Sequence, residues 1–62
     1  SAKAQANKVV ESLAQAVDNY EKQAAKAEAA GQTAKAMIAR EAAAARRDWL
    51  EQAQKGLTEF AN

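Results

Sequence analysis

Residues 24–39 read AAKAEAAGQTAKAMIA, and the break at Ala30, Gly31, Gln32 and Thr33 inside that run decides the fold. On either side nearly every residue is a good helix former, with Ala foremost. Gly31 suits the left-handed C′ position that closes one helix, and Thr33 suits the N-cap of the next, its side-chain oxygen accepting from a free backbone N–H. A gap this short turns the chain back on itself, so two antiparallel helices are expected.

Outward from the break, Ala6, Val10, Leu13, Val17, Tyr20, Ala24 and Ala27 recur at alternating spacings of 4 and 3. That spacing is an a/d heptad stripe of the kind found in coiled coils. Helix 1 is expected over about 2–30, the turn over 31–33, and helix 2 over about 34–54 or on to 61, with Gly56 either ending helix 2 or weakening its interior. A turn centred on Gly31 and Gln32 sets residue i beside residue 63−i. The stripe then faces Leu57, Ala53, Leu50, Arg46, Ala43, Ala39 and Ala36, six of the seven apolar, whereas a register of 62−i faces four apolar residues and 64−i two. Near the turn the facing residues are all Ala, so the helices should lie closest there and part toward the open end.

Composition agrees with a single all-α unit. The chain has 62 residues, no Pro, no Cys, no His and two Gly. Of its apolar residues 19 are Ala, leaving Val9, Val10, Leu13, Val17, Tyr20, Met37, Ile38, Trp49, Leu50, Leu57 and Phe60 as the large ones. Missing Cys and His remove the thiolate and imidazole ligands and the usual general base, so no metal, no cofactor and no catalysis are expected. The eight carboxylates all lie off the stripe, and Asp18 with Lys22 and Glu51 with Lys55 have the i, i+4 order of helix-surface pairs. No Gly-rich phosphate loop or EF-hand spacing occurs. No apolar run reaches the length of a transmembrane helix and no signal peptide is evident, so a soluble chain is expected, its compartment unspecified.

Two clusters stand out as candidate sites. Ile38, Ala42, Ala45 and Trp49 form a second apolar row on helix 2, beside the seam, which one partner helix cannot cover. An oligomer interface is the expected use of that row, since aromatic side chains serve as interface anchors. Two antiparallel copies of helix 2 would set Ile38 against Trp49 and Ala42 against Ala45, residue i meeting 87−i, as a two-fold axis requires. The expected partner is therefore a second copy or another helical protein. Arg40, Arg46 and Arg47 beside Trp49 are the other cluster, and Arg next to an aromatic is a combination used on nucleic acid. Glu41, Asp48 and Glu51 are interleaved with it and the net charge is only +1, so nucleic acid is not the expected partner. Arg46, on the seam opposite Val17, is expected to lay its stem along the seam and send its guanidinium to Asp18, Glu21 or water.

The length, the central turn and the heptads over residues 6–57 resemble helical hairpins that dimerise into four-helix bundles, the RNA-binding Rop type among them. That resemblance implies a hairpin dimer; no residue motif carries RNA-binding positions across. The Ala-rich amphipathic helices are also similar to those of phasins and other lipid-surface proteins, and the regular turn would suit a designed bundle, although Arg46 in the seam is unlike an idealised core. The function expected is a structural or assembly module acting by helix association, with an RNA-binding hairpin dimer or a lipid-surface binder as alternatives.

Overall fold

A computed structural model describes residues 1–60. Helix α1 spans Ala2–Ala29 and helix α2 spans Thr33–Phe60. They pack along each other as an antiparallel hairpin 48 Å long, as the short connection and the seam require. Ser1 caps α1, its hydroxyl accepting from the Ala4 N–H at 3.2 Å.

The turn closes through three backbone bonds. The N–H groups of Ala30, Gly31 and Gln32 donate to the carbonyls of Lys26, Glu28 and Ala27. Gly31 has φ +74. Its position one residue beyond the cap, with Gln32 reaching back to Ala27 and Gly31 to Glu28, is a Schellman motif, which satisfies carbonyls that the helix end would leave unpaired. The Gln32 carbonyl then accepts the first bond of α2, from Ala36 N–H at 3.0 Å. Gln32 thus holds the cap position expected for Thr33, which is already the first residue inside the helix. At the other end α2 runs through Gly56 to Phe60 without interruption. Residue 61, the end of the longer boundary expected for helix 2, lies outside the described residues.

The two glycines should respond to alanine with opposite signs. Nothing lies within 4 Å of an added Cβ at either, so only the backbone decides. Gly31→Ala forces an L-residue into the left-handed region and should cost roughly 1–2 kcal/mol. Gly56→Ala, in a helix interior, should stabilise by about 0.5–1 kcal/mol. Urea midpoints of the two variants check this, and equal signs would contradict the turn geometry.

Burial follows the two stripes. On α1, Leu13, Ala24 and Ala27 are buried and Ala6, Val10, Val17 and Tyr20 half-buried; on α2, Ala36, Ala39 and Ala43 are buried and Arg46, Leu50, Ala53 and Leu57 half-buried. The core is thus almost wholly Ala, with Leu13 the one large buried side chain among the described residues. Ala methyls shield one another only if the backbones come close, which explains why burial is deepest in the turn half. Toward the open end the larger side chains of Val10, Val17, Leu50 and Leu57 are only half-buried.

Candidate association surface

Each broad face of the hairpin has a groove, and the two grooves differ in chemistry. One is flanked by Glu21 and Glu28 from α1 and Arg40 and Arg47 from α2, over a floor of Ala24 and Ala43. Arg47 pairs with Glu21 and Arg40 with Glu28. These pairs step seven residues up one helix and seven down the other, so the antiparallel register is constant along the seam. All four side chains are about half exposed, where an ion pair is worth about 0–1 kcal/mol, so these pairs align the helices more than they stabilise them. Asp18 with Lys22 and Glu51 with Lys55 form the pairs along single helices that their spacing suggests.

The opposite face carries the second apolar row. Its groove, about 500 Å³, is lined by Tyr20, Gln23, Ala27, Ile38 and Ala39, with Lys26 and Lys35 at the rim. Ile38 is 68% exposed and Trp49 62% exposed. Eleven residues separate them, which is three helical turns to within about 20°, so they share this face. Between them Ala42 is half-buried and Ala45 exposed. Lone exposed apolar residues are ordinary, but an aliphatic and an indole ring on one aligned row form a patch, and patches commonly mark interfaces. Val9 on α1 is also largely exposed, and its spacing of fourteen from Gln23 sets it on the same face. Val9 lies outside the single stripe that the seam reading gives helix 1. Its place beside Ala16 and Gln23, each seven apart, was the signal that could have found it.

The three arginines do not form one patch. Arg40 and Arg47 flank the ion-paired groove, whereas the Arg46 guanidinium lies 4.8 Å from the Tyr20 ring centroid. Arg46 also donates to the Ala42 carbonyl at 3.4 Å. Glu21, one of the acceptors expected for Arg46, is taken by Arg47, and Asp18 pairs with Lys22. Stacking on Tyr20 lets the weakly hydrated guanidinium stay in a half-buried seam that offers it no carboxylate. The cross-helix pairs Glu21 with Arg47 and Glu28 with Arg40 were legible in principle, since each residue directly follows a stripe position and the charges are opposite.

Among the described residues no group of three or more His, Cys, Asp or Glu could hold a metal ion. No described helix is long and apolar enough to cross a membrane. No protein-family model, curated protein or solved structure matches the chain.

Proposed function

We propose that the chain is an assembly module whose activity is self-association, two hairpins closing a four-helix bundle through Ile38, Ala42, Ala45 and Trp49. The observation that carries this reading is the exposure of Ile38 and Trp49 on one face of a hairpin whose own core is nearly all Ala. The row is self-complementary. Antiparallel copies of α2 crossing between Ala43 and Ala44 bring each Trp49 over an Ile38 of the second copy, while facing Ala42 and Ala45 allow close approach at the centre. This reading gives the chain no catalytic role and needs no cofactor.

RNA binding is less well supported by the same geometry. Two of the three arginines are committed to carboxylates on the far face, so phosphates would have to displace Glu21 and Glu28. A lipid surface would call for a broader band of bulky apolar residues than this row supplies.

Sedimentation equilibrium with far-UV circular dichroism across concentration tests the proposal. The wild type should pass from dimer to monomer on dilution and lose helicity as it does. Trp49→Ala should weaken association roughly tenfold or more, as truncating a central aromatic anchor does. A wild type that is monomeric at every concentration and still unfolds cooperatively overturns the reading, as does a Trp49→Ala variant that dimerises unchanged.

A further inference from the structure

We propose that a phase break in the buried seam keeps the chain a hairpin and bars it from opening into one long helix paired with a second copy. Every cross-helix contact joins α1 to α2, so two straightened chains lying antiparallel could remake each of them between copies, Glu21 with Arg47 and Glu28 with Arg40 included. Exchange of an identical element is a low-cost route to dimers, and short hinge loops invite it. The inner seam is at stake here, not the outer row of Ile38 and Trp49, so nothing in it depends on whether hairpins associate through that row.

Gly31 alone does not explain the turn. Gly56 lies inside α2, which runs through it to Phe60 without interruption. A glycine in a helix interior costs only about 1 kcal/mol relative to Ala, and Ala29, Ala30, Gln32, Thr33 and Ala34 around Gly31 include no Pro that would stop a helix. A straightened chain would give up the Schellman bonds and recover ordinary helical ones in their place. Local preference therefore leaves the choice to the seam.

On α1 the buried pair nearest the turn is Ala24 and Ala27, and on α2 it is Ala36 and Ala39. The midpoints of the two pairs are twelve residues apart. In a continuous helix at about 100° per residue, that separation is about 120° past three full turns, so the two stripes would look in different directions. Supercoiling absorbs a drift of only about 20° per heptad, too little to bring them together. A partner helix covering Ala24 and Ala27 would then miss Ala36, Ala39 and Ala43, which the hairpin buries. The turn removes the conflict, because it lets α2 rotate about its own axis until its stripe meets that of α1. The seam is thereby closed to other copies, which leaves only outer surfaces for contact with them.

Deleting Gly31 removes the break. The two pairs are then eleven residues apart, which is three turns to within about 20°. The step from Ala27 to Ala36 becomes two steps of four with Gln32 between them, a stutter, which unwinds a coiled coil only locally. The deletion variant should therefore form a pair of continuous helices about 90 Å long, against 48 Å for the hairpin. Small-angle X-ray scattering reads the length, sedimentation equilibrium the mass of two chains, and circular dichroism the retained helicity. Gly31→Ala loses the glycine but keeps the phase break, and should remain a hairpin of wild-type length, although a less stable one. Length separates the two forms whether or not hairpins associate side by side. A deletion variant of hairpin length, or one that loses its helicity, overturns the proposal. So does a Gly31→Ala variant about 90 Å long, which would make the left-handed glycine the only barrier.

Discussion

Ala43→Leu should destabilise the hairpin by about 3 kcal/mol, the upper end of what overpacking costs, and lower its urea midpoint accordingly. Ala43 is only 1% exposed, among the most deeply buried residues of the seam. Ala24, which forms the floor of the groove with it, has no rotamer with which to give way, so three extra heavy atoms have to be met largely by moving the helices apart. Separation at this point also pulls Arg47 from Glu21 and Arg40 from Glu28, which flank the same groove. The control is Ala25→Leu, at an exposed position on the same groove, which should change stability by under about 0.5 kcal/mol. Equal responses at the two positions would mean that the helices are not held at Ala–Ala distance, and the account of the core would fail with them.

The seam was legible in the sequence because a 3.5-residue repeat is a direct record of which side of a helix is shielded. Leu13, Ala24, Ala39 and Ala43 are buried on the stripes that spacing and turn define together. Gly31 was legible for a related reason: few residues accept φ +74, so its appearance between two helix-forming runs locates the reversal. The fate of Arg46 was not. Its position on the seam follows from periodicity, but the direction of its guanidinium depends on competition among neighbours, and Arg47 and Lys22 had already engaged Glu21 and Asp18. The cap at Gln32 rather than Thr33 was missed because the Schellman bonds from Gly31 and Gln32 tighten the turn, so that the Gln32 carbonyl starts α2 before Thr33 can cap it. Of the candidate surface, the row of Ile38 and Trp49 was visible as excess apolar residues beside a filled seam.

Leu13→Ala should cost about 3 kcal/mol, and the loss should be uneven along the hairpin. Leu13 is 8% exposed, and its seam neighbours on α1, Val10 and Val17, are only half-buried. Removing a large buried side chain forfeits its burial and leaves a cavity, for which about 2–5 kcal/mol is usual; the open site here can partly collapse or admit water, which argues against the top of that range. Toward the turn, stability comes from the buried Ala residues and the Schellman bonds, neither of which involves Leu13. Toward the open end no other large side chain is buried among the described residues, so the variant should open from its termini inward. Native-state hydrogen exchange reads this directly. Amides of the outer half of each helix should exchange about a hundredfold faster, since each 1.4 kcal/mol is a factor of ten, while those adjoining Gly31 should change much less. Uniform acceleration along both helices would show instead that the hairpin opens only as a whole, with Leu13 supporting the Ala seam at a distance.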